Sequence, residues 1–392
     1  MVEPEHIELA VVGGGPIGAA AARHAAERGI EVVLVAAPRG TGDRALYSSH
    51  DDAARITRVL DGNRIWARMA KAAIARYRDI ERRSGITFYD ERGCVVLGEG
   101  SGAASSVAGF VDVASELDIH HDVLDADDLR AMPFGMTVSD DAIGLWQRLD
   151  AGVVAPLRMV GAQRACAQGA GAVLVDDRVV VREDGRDGTL LRTLGGREIV
   201  ARRVVLALGP YAAMPGLIDA TPAVGWVQPR TVALARVGER EAERLREMPA
   251  LLSKPQDPSA NCYVVPPVRY DDGEMYVKVG GGPEGAPIRT GEELDAWFRG
   301  GGDPGEAERV QGLLRSLLPD LEVEDWTQLA CVVTRTGSGQ PALAPIAPGV
   351  VAVVGGNGHA AKSGDELGRL AMVSLFGGDG RPEAGTPSHA PR

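Results

Sequence analysis

The chain reads as an α/β protein: a Rossmann-like domain with a parallel sheet and a GxGxxG turn, interleaved with a second domain on a mixed or antiparallel sheet. Three observations carry this reading. A glycine fingerprint, Gly13-Gly14-Gly15-Pro16-Ile17-Gly18, separates a short apolar run from an alanine-rich stretch. Apolar runs that leave on glycine recur at residues 204–209 and 350–355. The segments between, 86–149 and 220–322, are richer in β-type runs and turns.

Taken in order, residues 7–12 form a buried strand bounded at once by glycines, and residues 19–28 a helix closed by Gly29 at its C-terminal position. Residues 31–35 give a second strand. Continuous apolar runs of this kind belong to parallel strands covered on both faces. Residues 65–84 read as one helix, 157–168 as another, 172–176 as a strand and 183–196 as a polar hairpin. Residues 263–268 and 275–279 read as a hairpin around Asp271-Asp272-Gly273. Residues 363–375 form a last helix. These elements place residues 1–85, 150–219 and 323–378 in the nucleotide domain, and 86–149 and 220–322 in the second domain. The Gly/Pro-rich end, 379–392, reads as a disordered tail.

Composition narrows the function. The 392 residues are 45% hydrophobic, enough for a large core. A formal charge of -12 argues against a nucleic-acid partner. The N-terminal residues lack the basic and apolar regions of a secretory signal, and no apolar run approaches a membrane span. Four scattered cysteines without a CxxC pair offer neither a metal site nor a disulfide framework, and a cytoplasmic setting fits.

The fingerprint has a mechanical meaning. Gly13 permits the turn from strand to helix, Gly15 lets backbone approach a pyrophosphate at the helix N-terminus, and Gly18 allows close packing. One part is absent: the acid that ordinarily ends the second strand and holds a ribose is replaced by Ala36-Ala37-Pro38-Arg39, and Asp43 is the next acid.

Five patches in order carry a resemblance. They are the fingerprint; Ser48-Ser49-His50-Asp51-Asp52-Ala53-Ala54-Arg55-Ile56-Thr57-Arg58; the pair Tyr263 and Lys278; Cys331 with Thr334 and Thr336; and Gly358-His359-Ala360-Ala361-Lys362. Together they resemble the D-amino-acid-oxidase superfamily of FAD enzymes, most nearly its monomeric sarcosine oxidase and N-methyltryptophan oxidase branch. The resemblance implies FAD as cofactor, with a cofactor-binding set of Gly13, Gly15, Pro16, Ile17, Gly18, Ser49, His50, Arg55, Val179, Gly209, Cys331, Gly358, His359 and Lys362. It implies that Cys331 would bond the flavin 8α-methyl carbon, that Arg58 and Lys362 would hold a substrate carboxylate, that Lys278 would stand at the flavin N5 edge, and that Tyr263 would lie near substrate. The branch's Pro-Asp after Thr336 is here Gly337-Ser338, the aromatic before Lys362 is Ala361, and the acid of its HxxDxR stretch is shifted or lost.

Read without the family, the same residues keep a plainer alternative. Arg58 alone suits a solvated charge, Lys278 shares a strand face with Tyr276 as an outward residue would, and a free cysteine is most often core. Lys362 follows a glycine-rich turn after an apolar run, where an α/β sheet presents ligand groups, and the helix after it would direct positive charge at an anion. The expected function is an FAD-dependent oxidase of a small carboxylate-bearing amine or cyclic imino acid, using oxygen and releasing hydrogen peroxide, as a monomer or homodimer. Its alternatives are a dehydrogenase of the superfamily that passes electrons to a carrier protein and a non-catalytic dinucleotide-binding protein.

Overall fold

The parallel sheet lies where the sequence is most apolar. The strand Glu5–Val12 pairs in parallel with Val32–Ala36 on one side and Glu198–Leu206 on the other; Val173–Asp176 extends the first edge and Val350–Val354 the second. The facing residues Leu9, Val11, Leu34, Val205 and Val351 are buried against helices, while Ala10, Val33, Val204 and Ala352 fill the opposite layer. The computed structural model describes residues 4–39, 46–218, 225–282 and 285–377; the expected disordered tail and Asp43 lie outside them.

The helix Pro16–Glu27 starts with proline in its first turn, where the missing N–H costs nothing, and has Gly15 as an N-cap without a side-chain cap. Its alanines are buried under the helix Ala360–Phe376. A Cβ on Gly368 would stand 2.6 Å from Ala21 N, so glycine there sets how closely the two helices cross. The expected single helix 65–84 is two, Arg64–Ile74 and Tyr77–Ser84; it breaks at Ala75-Arg76, and Arg76 turns to bind Asp365 and Glu366.

A second, mixed sheet of eight strands runs Asp325–Arg335, Trp226–Val237, Met275–Gly281, Cys262–Arg269, Ala250–Lys254, Cys94–Glu99, Ala142–Gln147 and Asp122–Leu124. The expected hairpin around Asp271-Asp272-Gly273 is its third and fourth strands. The assignment of 323–378 entirely to the nucleotide domain needs correcting at its start. Asp325–Arg335 pairs along its whole length with Trp226–Val237 in the second sheet, and the chain rejoins the first sheet only at Val350–Val354. Cys331 thus comes to the site from the second sheet. A small third sheet, Arg55–Arg58, Ala151–Val154 and Tyr89–Asp90, carries the two arginines of the second sequence patch.

Candidate active site

One continuous cavity of about 1790 Å³ is lined by residues of both large sheets and the small one. The glycine turn is part of its wall. Gly13 has φ +105°, and a Cβ on it would stand 2.3 Å from Ala207 O; a Cβ on Gly18 would stand 1.8 Å from Gly13 O. Gly18 therefore packs beneath the turn, whereas Gly13, Gly15, Pro16 and Ile17 line the cavity. The uncapped N-terminus of Pro16–Glu27 opens into the same space. Ser49, His50, Val179 and Gly209 line it too. Burial and the Arg39 and Arg55 charges push His50 down to about 4, against Asp51, so its imidazole is neutral at pH 7.

Where the usual ribose acid is missing, the sheet itself supplies a neighbour. Ala36 pairs with Asp176 across the parallel register, and both line the cavity, with Asp176 bound to Arg164 at 2.6 Å. Sequence spacing could not show this, because the acid comes from a strand about 140 residues downstream.

The second sequence patch folds around Asp52. Its carboxylate, buried, accepts from Arg55, from Lys278 Nζ at 2.9 Å, from Tyr270 Oη at 3.0 Å and from Ala54 N at 3.3 Å. Lys278 also donates to Ala54 O and is 0% exposed, which rules out the outward strand residue. Burial alone would raise the Asp52 carboxyl, but Arg55 and Lys278 override it and hold it at about 2. Burial and the Arg55 guanidinium push Lys278 down to about 8, against the pull of Asp52. In front of this hub Arg55 faces the cavity. It donates to Ser49 O at 3.0 Å and touches Cys331 Sγ at 3.3 Å, so Cys331, whose carbonyl holds Trp297 Nε1 at 2.9 Å, is fixed beside it. Tyr263 lines the cavity with Lys278 Nζ 5.9 Å from its ring centre.

A second hub repeats the pattern. Asp61 accepts from Lys362 Nζ at 2.6 Å, from Arg58 at 3.2 Å and from Asn63 N at 2.9 Å. Lys362 is 1% exposed and does not line the cavity; burial brings it to about 8 although Asp61 pulls the other way. The resemblance would turn Lys362 toward a substrate carboxylate; in this structure its ammonium is held by Asp61 instead. Lys278 likewise lies behind the wall of the cavity. Arg58 does line the cavity, and its buried Nε has no hydrogen-bond partner among the described residues. His359, which with Gly358 lines the cavity, stacks on Trp66 at 4.6 Å. Burial and the Lys362 charge push it down to about 3, leaving it neutral. Sequence reading missed Asp61 and treated the acid of the other patch as displaced. The available signal was the i,i+3 spacing of Asp52 to Arg55 and of Arg58 to Asp61.

These residues fit an FAD. The glycine turn would crowd on any side chain, the uncapped helix N-terminus suits a pyrophosphate, and the cavity continues from there to a cationic wall. Among the described residues no cluster of His, Cys, Asp or Glu could hold a metal ion, and no helix is long and apolar enough to cross a membrane.

Comparison with known proteins gives the same frame. The family model described as FAD dependent oxidoreductase matches residues 8–372. The monomeric sarcosine oxidase of Streptomyces avermitilis is 28% identical over 232 residues, 57% of this chain and 58% of that protein. The monomeric sarcosine oxidase of Bacillus sp. strain B-0618 is 25% identical over 210 residues, 53% of this chain and 52% of that one. The chain thus spans little more than half the length of these curated relatives. Among solved structures, the open form of NikD, titled an unusual amino acid oxidase essential for nikkomycin biosynthesis, superposes with a TM-score of 0.74 at 22% identity, covering 98% of each chain.

Proposed function

The chain belongs to the FAD dependent oxidoreductase family, and within it we propose an oxidase of the C–N bond of a small carboxylate-bearing amine or cyclic imino acid. One observation carries the reading: the glycine cradle and Arg58, whose buried Nε lacks a partner among the described residues, open into the same cavity, which Arg55 and Cys331 also line. When bound, FAD supplies the redox step, taking a hydride equivalent from the carbon that bears the amine and passing the electrons to oxygen to give hydrogen peroxide.

The protein's part is binding, orientation and charge. Arg58 anchors the carboxylate through a planar guanidinium. Arg58 and the cradle, both held from behind, align the reacting carbon between them. The neutral imidazoles of His50 and His359 add no competing charge near the amine, which reacts in its neutral form. Lys278, held positive by Asp52 behind Arg55, favours the negative charge that develops as oxygen is reduced. Asp176, beside Ala36, takes the place of the missing ribose acid. Arg55 holds the Cys331 thiol in place for a thioether to the cofactor. The domain division set out from the sequence, with its last segment amended, is part of this proposal, as is a cytoplasmic enzyme without a membrane or nucleic-acid partner.

The test is an absorbance spectrum of the purified protein, followed by anaerobic addition of amino acids and imino acids and then air. Loss of the flavin band near ~450 nm with a carboxylate-bearing amine, and its return with peroxide in air, is expected. A protein that binds no flavin, or a bound flavin that no amine bleaches, would refute the reading. Return of the band only with a carrier protein would favour the dehydrogenase. Colour retained in the acid-precipitated protein, and lost in Cys331→Ala, is expected of the thioether.

A further inference from the structure

The Asp61 hub leaves a difficulty that the cavity itself resolves. Lys362 is buried, bound to Asp61 at 2.6 Å and absent from the lining of the cavity. A second cation nevertheless reaches the cavity that Arg58 lines, from a different sheet. Lys254 ends the strand Ala250–Lys254. Side chains alternate along that strand: Leu251 packs into the core, while Leu252 and Lys254 both line the cavity, and Leu252 pairs with Tyr263 in register. Among the described residues the Lys254 ammonium makes no hydrogen bond and no ion pair. Its backbone is held in the sheet opposite Gly98, and Lys254 O accepts from Ser106 Oγ. Lys254 and Arg58 line the same cavity, and burial and the Arg58 guanidinium lower the Lys254 ammonium from the ordinary lysine value while Asp61 pulls the other way. Two cations in one partly dry corner, one with an unpartnered Nε and the other unpaired, form an arrangement that an incoming anion relieves.

We propose that the anion site of this enzyme is Arg58 with Lys254, and that Asp61 keeps Lys362 out of it, so Lys254 determines specificity for a carboxylate on the substrate. This deepens the functional reading above and rests on Arg58 as the anchor. A guanidinium supplies a planar fork and the ammonium a point charge from a second direction, across the cavity corner between the small sheet and the second sheet. Asp61 then acts as a positioning residue: it holds Arg58 by one nitrogen and offsets the buried Lys362 charge.

The experiment uses the purified protein with its cofactor and two probes of one shape, benzoate and its neutral counterpart benzamide, with binding read by calorimetry and by perturbation of the flavin band. Lys254→Met is expected to weaken benzoate by about tenfold or more while leaving benzamide within a factor of about two. Lys254→Arg should restore most of the benzoate affinity. Asp61→Asn should tighten benzoate, because it releases the Lys362 charge toward the site. Equal loss of both probes in Lys254→Met, unchanged benzoate affinity, or no benzoate binding to the parent protein would overturn the proposal. Calorimetry reads the anion site whether or not an amine bleaches the flavin, so failure here is distinct from failure of the proposed reaction.

Discussion

The two buried lysines are built alike and finished differently. Each stands behind the cavity wall on an aspartate, and each aspartate also holds an arginine that faces the cavity: Lys278, Asp52 and Arg55 in one hub, Lys362, Asp61 and Arg58 in the other. The Asp52 hub is saturated. Four donors converge on its carboxylate, Arg55 Nη2 donates to Ser49 O and Cys331 Sγ, and among the described residues no buried side-chain polar atom of the hub lacks a partner. The Asp61 hub is not, because Arg58 Nε is buried without a partner. A closed hub fixes charge in place, and an open one waits for a ligand to complete it. The same three residue types therefore make a closed electrostatic feature at one point of the cavity and a binding site at another.

The largest expected effect strikes the closed hub. Asp52→Ala leaves Lys278 and Arg55 buried without their counter-ion and should cost about 3–5 kcal/mol of stability, read as a fall in the thermal midpoint. If the midpoint does not move, Asp52 is not the centre of a buried hub. Next comes the open hub. Arg58→Ala should weaken carboxylate-bearing amines by on the order of 100-fold, about 2.7 kcal/mol, and carboxylate-free amines by far less, measured as kcat/KM for the two classes. Equal losses would remove Arg58 from substrate recognition. A smaller effect sharpens the contrast through pH. Lys278 is protonated below about 8, so the rate at which oxygen restores the flavin band should be level below that value and fall by about tenfold as pH rises through it. In Lys278→Met that step should vanish.

Much of this was legible in the sequence because the relevant signals are local. The fingerprint lies within six residues of a strand and a helix, and steric arguments about Gly13 and Gly18 need only their neighbours. The strands Val32–Ala36 and Val350–Val354 announced themselves as unbroken apolar runs. What stayed hidden was pairing at long range. Asp325–Arg335 carries no mark of which sheet it joins, since an amphipathic strand suits either. Asp176 reaches the place of the missing ribose acid only through sheet register. Lys254 looks like an ordinary strand-end lysine until Tyr263 is seen beside its strand. The burial of Lys278 and Lys362 was equally unreadable, because it depends on aspartates 226 and 301 residues away in sequence. The i,i+3 carboxylates beside Arg55 and Arg58 were visible, but that spacing is common on solvated helices and strands and carries little by itself.

The division of labour between the hubs is tested most directly by transient kinetics of the two half-reactions in Lys278→Met and Arg58→Ala. With a carboxylate-bearing amine, Lys278→Met should slow the return of the flavin band in oxygen by on the order of 100-fold and its anaerobic bleaching by no more than a few fold. Arg58→Ala should do the reverse. If both variants slow the same half-reaction to the same extent, the closed hub and the open hub are one site, and the account fails.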